Sequence, residues 1–86
     1  MDLDYSQNVL MINFTFSKAV GATSVVLQQS QEAGVWNDTP FPLDANSTTA
    51  SAPAFIGIPV KYRLVVVGGS KAGYSNEITV TALAPV

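Results

Sequence analysis

The stretch that decides the fold is Lys61–Ser75, which reads KYRLVVVGGSKAGYS. Its large residues Tyr62, Leu64 and Val66 fall on every second position, so an extended chain would carry all three on one face. The glycine-rich segment Gly68–Gly73 follows directly. Alternation with a period of two that ends in such a loop is typical of a β-strand running into a hairpin. The stretch therefore predicts a half-buried strand and a turn, and it does not indicate a ligand or a reaction.

The composition excludes several classes of protein. The chain has 86 residues, enough for one domain, and it contains neither cysteine nor histidine. It therefore lacks disulfides, thiolate metal sites and the commonest general base. Its net charge of −2 offers no cationic surface for nucleic acid, and no apolar run reaches the roughly 20 residues of a membrane-spanning helix. We expect a soluble all-β domain with no metal, no cofactor, no nucleic-acid partner and no membrane insertion.

Period-two alternation recurs along the chain and predicts strands over residues 8–17, 23–30, 35–39, 47–52, 61–67 and 76–83. Residues 1–7 are a short edge strand or a tail, and residues 84–86 are a tail or a linker. Ser30 is expected to face solvent, and residues 47–52, with small side chains, to form an exposed edge. One core is predicted from the inward positions, which are Leu10, Ile12, Phe14, Phe16, Val25, Leu27, Leu64, Val66, Ile78, Val80 and Ala82.

Turn signals every 8–12 residues between short strands are typical of a Greek-key β-sandwich, here of about seven strands in a single domain, 1–86. The order of motifs also resembles a fibronectin type III domain over about residues 8–83. The motifs that carry this resemblance are Phe14–Phe16, Gly21–Ala22, Glu32–Trp36, Ile56, Tyr62, Leu64, Val66, Gly68 and Ala72–Ser75.

The resemblance has specific consequences for Tyr62. Ile56 lies six residues before it, as an aliphatic residue precedes the corner tyrosine of that family, whereas Phe16 and Leu64 replace residues that are usually aromatic. The resemblance implies an immunoglobulin-like sandwich in which the Tyr62 ring is buried and its hydroxyl bonds to the backbone of the 54–59 bend. It also implies a module of the kind found in bacterial secreted proteins and tailed-phage structural proteins.

No motif among the acidic residues indicates catalysis. A paired-carboxylate site needs two acids about 5–10 Å apart across a cleft, for which a sandwich of this size has little room. Asp44, Asn46 and Thr48 have the spacing that opens a calcium loop, but Thr49 and Phe55 occupy the positions of its glycine and final glutamate, so turn chemistry explains them better. We expect no enzyme and solvated surface acids, which are Asp2, Asp4, Glu32, Asp38, Asp44 and Glu77.

Two regions are candidates for an interaction surface. Three outward valines, bordered by Arg63 and Thr79, are either ordinary exposed sheet or a packing surface for another domain or subunit. The last hairpin loop is the second region, because loops at the end of a sandwich vary without disturbing the core. Aromatic residues that could stack on sugars adjoin them, although Trp36 and Phe41 also suit the core or its rim. The candidates are Val26, Val65, Val67, Ser70, Lys71, Gly73, Tyr74 and Trp36, with Tyr5 and Phe41 as further aromatics.

These features lead to one expected function and one alternative. We expect a non-catalytic structural, display or adhesion module of a larger extracellular or virion protein, such as a phage tail or capsid-surface protein. Its partners would be neighbouring domains or subunits. The alternative is a carbohydrate-binding module that uses Trp36, Tyr74 and the adjacent loops on cell-surface glycans. The loop carries no Arg-Gly-Asp motif, so integrin-type recognition is not implied.

Overall fold

A computed structural model describes residues 3–32, 34–40, 43–70 and 72–84. These residues form strands and connecting turns, with no helix among them. The strands are β1 Asp4–Asn8, β2 Met11–Thr15, β3 Ser24–Glu32, β4 Val35–Asp38, β5 Thr49–Pro53, β6 Val60–Val67, β7 Gly73–Tyr74 and β8 Ile78–Val80. The predicted all-β fold is confirmed.

The strands form two antiparallel sheets. One has the order β1-β2-β5, and the other has the order β4-β3-β6-β7 with β8 also paired to β6. The chain passes from one sheet to the other after β2, after β4 and after β5. The strand predicted over residues 76–83 is shorter than expected: β8 covers Ile78–Val80, and Ala82 adds an isolated bridge to Ile56. Between β7 and β8, Ser75 bonds to the backbone of Leu64 in β6. Leu64 N–H donates to the Ser75 hydroxyl at 2.8 Å, and Ser75 N–H donates to Leu64 O at 2.9 Å.

The core lies between the two sheets and draws on both. The Phe14 and Tyr62 rings, from β2 and β6, have centroids 4.8 Å apart. Most of the predicted inward positions are buried, and Ile78 is half-buried against them. Edge strand β5 also buries Ala50 and Ala52. The buried apolar residues are Leu3, Ile12, Phe14, Phe16, Ala19, Val25, Leu27, Ala50, Ala52, Val60, Tyr62, Leu64, Val66, Val80 and Ala82.

The prediction for Leu10 is wrong because residues 4–15 form a hairpin and not a tail followed by one long strand. Asn8 pairs with Met11, so Val9 and Leu10 form a two-residue turn and β2 begins at Met11. Val9 adopts the positive φ of 55° that such turns need. Leu10 is consequently 55% exposed. Of the two alternatives for residues 1–7, the edge strand is correct for the described part.

The prediction that Ser30 faces solvent is also wrong. The register between β3 and β4 shifts between Gln29 and Glu32. At this irregularity Ser30 is buried, and its hydroxyl donates to the Glu32 carbonyl at 2.7 Å. The register between β3 and β6 is regular through Ser30 and Lys61, so Ser30 keeps its outward position and is buried there, beside the irregular pairing with β4. A period-two pattern predicts the face of a residue but not what covers it.

Tyr62 fulfils one part of its prediction. Its ring is buried at 1% exposure. The predicted hydroxyl bond is wrong: within the described residues, no hydrogen bond joins the Tyr62 hydroxyl to the 54–59 backbone. That bend instead makes bonds at the end of the sandwich, where Ala54 N–H donates to Leu10 O at 2.8 Å and Gly57 N–H donates to Ala82 O at 3.1 Å.

Because Tyr62 is buried, the free energy of unfolding should fall as pH rises in the alkaline range. Desolvation raises the pKa of this hydroxyl above its usual 10.0. The unfolded chain therefore releases the proton at lower pH than the folded chain does. The contribution of the Tyr62 hydroxyl to the free energy of unfolding is fully present below about pH 10. It is lost as pH rises through the pKa that this hydroxyl has in the folded chain. We expect a slope from this group of up to about 1.4 kcal/mol per pH unit.

Urea titrations between about pH 9 and pH 11.5 would measure this slope. Tyr62→Phe should remove the part of the pH slope that comes from Tyr62. Tyr5→Phe changes a ring that is partly exposed, and this variant should retain the slope. Equal slopes for the wild type and Tyr62→Phe would contradict the prediction.

Candidate functional site

The outer face of the five-stranded sheet brings four predicted surface residues together. Val26 of β3 pairs with Val65 of β6, which in turn pairs with Tyr74 of β7. Val67 follows two residues after Val65 on the same face. Val26 and Val65 are half-buried among their neighbours, whereas Val67 and Tyr74 are exposed. We call these four residues the valine–tyrosine row.

Arg63 joins two aromatic side chains beside this row. Its guanidinium carbon lies 4.0 Å from the centre of the Trp36 ring and 4.0 Å from the centre of the Tyr74 ring. Cation–π contacts of this kind contribute about 0.5–1 kcal/mol each at exposed sites. Trp36 is consequently half-buried on the outer face, in contact with a cation, rather than part of the core. The sequence suggested Arg63 only as a border of the patch.

Hydrogen bonds hold the Arg63 side chain across three strands. Arg63 Nε–H donates to Gln28 Oε1 at 2.9 Å, and Gln28 Nε2 donates to Asp38 Oδ1 at 2.9 Å. Gln28 pairs with both Asp38 and Arg63 in the sheet register. The amide therefore links the cation on β6 to the carboxylate on β4, and it fixes the guanidinium between the two rings.

The Arg63 contacts give a measurable prediction. Arg63→Met keeps a long apolar side chain but removes the charge and the Nε donor, and we expect it to lower the free energy of unfolding by about 1–2 kcal/mol. Trp36 is the only tryptophan of the chain, so its fluorescence should change as well. Lys61→Met, at an exposed position two residues earlier on β6, is the matched control and should change neither quantity. Unchanged Trp36 emission in Arg63→Met would contradict the contact.

The last hairpin loop lies against the crossing between the sheets. Gly68 and Gly69 both have positive φ, and the backbone of Gly69 approaches that of residues 20–22 too closely for a side chain. Ser70 and Gly73 are exposed. Lys71 and Phe41, which the sequence also suggested, lie outside the described residues. The loop thus has a fixed base at Gly69, and its described residues beyond that base are exposed.

One acidic residue shapes a turn, and a small cavity lies beside another. Asp44 forms a turn in which its carboxylate accepts the Asn46 N–H at 2.7 Å, as the sequence favoured. Within residues 3–32, 34–40, 43–70 and 72–84, no group of three or more histidine, cysteine or acidic side chains could hold a metal ion. A cavity of about 160 Å³ lies between Ser30, Glu32 and Lys61, below the roughly 300–1,000 Å³ typical of small-molecule sites.

Two further findings bear on function. None of the described residues belong to a helix that is long and apolar enough to cross a membrane. Comparison with protein-family models, with curated proteins and with solved structures found no match.

Proposed function

We propose that the chain is a fibronectin type III-like module and a non-catalytic structural, display or adhesion unit of a larger extracellular or virion protein, such as a phage tail or capsid-surface protein. The strand order supports this proposal. Strands β1, β2 and β5 form one sheet, and strands β3, β4, β6, β7 and β8 form the other, which resembles the division in immunoglobulin-like sandwiches. The buried Tyr62 after the sheet-crossing bend supports it further.

The observation that carries the proposal is the course of the first and last segments. Leu3 N–H donates to Asn76 Oδ1 at 2.7 Å, and Asn76 Nδ2 donates back to Leu3 O at 3.1 Å. Leu83 N–H donates to Gln7 Oε1 at 2.8 Å, and Gln7 Nε2 donates back to Leu83 O at 2.6 Å. The first segment therefore runs parallel to the last. The first segment therefore begins beside Asn76, and the last segment ends beside Gln7, at the other end of β1. The two ends lie on opposite sides of the domain, as a spacer between two neighbours requires.

A tandem of two copies joined in one chain tests the spacer role. The longest dimension of the single sandwich is 41 Å. If the ends lie on opposite sides, small-angle scattering of the tandem at low concentration should give a maximum dimension roughly twice as large, because folded domains are compact and joined at their termini. A tandem no longer than the single domain would contradict the proposal.

We further propose that contacts with neighbouring domains or subunits are made through the valine–tyrosine row or the tip of the last hairpin loop. Val67→Lys should change the free energy of unfolding by less than about 0.5 kcal/mol, because this side chain is half exposed. In the full-length protein the same change should weaken assembly, since it places a charge in an apolar contact. Normal assembly of the Val67→Lys variant would contradict a contact through the valine–tyrosine row and would leave the last hairpin loop as the contact region.

The alternative function, carbohydrate binding, gains support from the two rings beside Arg63. Tyr74 is 67% exposed, so part of its ring is free to stack on a sugar, and Arg63 would favour an acidic glycan. A glycan array separates the two functions, because a spacer should bind nothing above background. If glycans bind, Tyr74→Ala should abolish binding and Tyr5→Ala should preserve it.

A further inference from the structure

Three outward side chains of β6 combine one cation with two apolar residues. Arg63, Val65 and Val67 occupy every second position, so they lie in a line on the outer face of the five-stranded sheet, about 7 Å apart. Arg63 and Val65 are half-buried, and Val67 is 52% exposed. We call these three residues the β6 stripe. Its spacing is that of alternate side chains in an extended chain, so a partner strand offers the same repeat.

The cation of the β6 stripe has no direct acidic partner in the described part of the chain. Arg63 spends its Nε–H on the Gln28 amide, and two aromatic rings lie over its guanidinium group. Asp38 is joined to it only through Gln28. Glu77, exposed just before β8, forms no ion pair with it. The Nη groups are therefore the part of the guanidinium that remains for a partner, and this pair of donors suits the two oxygens of a carboxylate.

The neighbouring charges leave that position open. Lys61 occupies the outward position before Arg63 on β6 and adds a second positive charge. Glu32 lines the same cavity as Lys61, so the nearest acid on that side lies toward Lys61 rather than toward the valines. Along β6 the outer face consequently changes from cationic to apolar at Arg63, and a partner that covers it must change from acidic to apolar at the same place.

We propose that the β6 stripe docks an extended segment of a partner protein in which one acidic residue and two apolar residues occupy alternate positions. The proposal rests on the contact through the valine–tyrosine row and names the chemistry of its partner. The carboxylate binds the Nη groups of Arg63, and the apolar side chains cover Val65 and Val67. Charge complementarity favours this partner over a wholly apolar one, because covering a cation without an anion is costly. Strands of packed sheets cross at about 30°, so the match extends over a few alternate residues.

Titration of the wild type with pentapeptides tests the proposal. Acetyl-Glu-Ser-Val-Ser-Val-amide and the reversed sequence cover both strand directions, and each is compared with the peptide that has glutamine in place of glutamate. The readouts are the fluorescence of Trp36, which is the only tryptophan and contacts Arg63, and the amide chemical shifts of β6. In at least one direction we expect saturable millimolar binding that weakens about fivefold or more with glutamine. This comparison needs no variant, so it does not depend on how a variant folds.

Arg63→Met should remove the preference for glutamate. Lys18→Met is the matched control, because it removes one positive charge from an exposed position between β2 and β3, and it should keep the preference. Equal binding of the glutamate and glutamine peptides in both directions overturns the proposal, and so does a preference that survives Arg63→Met.

Two further outcomes separate this proposal from its neighbours. Glucuronate that binds the wild type as tightly as the better peptide would overturn the protein partner and would assign Arg63 to an acidic sugar. If Val67→Lys weakens assembly of the full-length protein while paired peptides bind alike, the valine–tyrosine row remains a contact and only its acidic partner is wrong.

Discussion

Phe14→Ala is expected to lower the free energy of unfolding by roughly 3–5 kcal/mol. Phe14 lies in β2, the central strand of its sheet, and its side chain is fully buried. Its ring packs against Tyr62 of the opposite sheet at a centroid distance of 4.8 Å. For a chain of this length the total stability is only about 4–13 kcal/mol. A large part of this stability would be lost, and urea unfolding followed by circular dichroism should show a much lower midpoint or an unfolded baseline.

Tyr5→Ala is the control for Phe14→Ala. Tyr5 is the register partner of Phe14 on edge strand β1, and its ring is 42% exposed. Removing it deletes an aromatic ring from the same pair of strands but leaves no enclosed cavity, so we expect a loss of about 1 kcal/mol or less. Similar losses for the two variants would mean that β2 does not bury Phe14 as described.

Gly69→Ala is expected to cost about 3 kcal/mol or more in the free energy of unfolding, because two penalties combine there. Gly69 has a φ of 78°, which L-residues with a side chain rarely adopt. A Cβ at this position would also clash with Val20 O and lie 2.8 Å from Gly21 C and 2.9 Å from Ala22 N. These are backbone atoms, so the clash cannot be relieved by a rotamer change.

Gly57→Ala separates the two penalties. Gly57 has nearly the same φ, 74°, but no atom lies within 4 Å of an added Cβ. It should therefore show only the cost of the left-handed backbone, about 1–2 kcal/mol. Thermal melting of both variants gives the difference that belongs to the clash. If Gly69→Ala were no worse than Gly57→Ala, the hairpin loop would not rest on the 20–22 backbone.

The sequence predicted the core well because period-two alternation follows directly from strand geometry. Phe14, Val25 and Leu64 need no tertiary information to be assigned inward. The prediction that Leu10 faces the core failed because the turn before β2 lacks the usual asparagine-glycine or other glycine-containing pair. Val9 supplies the positive φ that such a pair would normally provide. The prediction for Ser30 failed because the burial of its outward side chain depends on how β4 pairs with β3, which local sequence does not specify.

The candidate site was predictable only in part. The outward valines and Tyr74 follow from the same alternation that places their neighbours in the core. The role of Arg63 does not follow from this alternation, because its guanidinium contacts aromatic rings from two other strands.

The paired amide bonds of Gln7 and Asn76 have a mechanical consequence. Tension applied between Leu3 and Leu83 pulls two parallel segments past each other along their length. The four hydrogen bonds between them are then loaded together, in shear, rather than opened one after another as in a hairpin pulled from its open end. The ends of this small domain should therefore resist stretching until both amides release, and Gln7→Ala would leave Asn76 to carry the load alone.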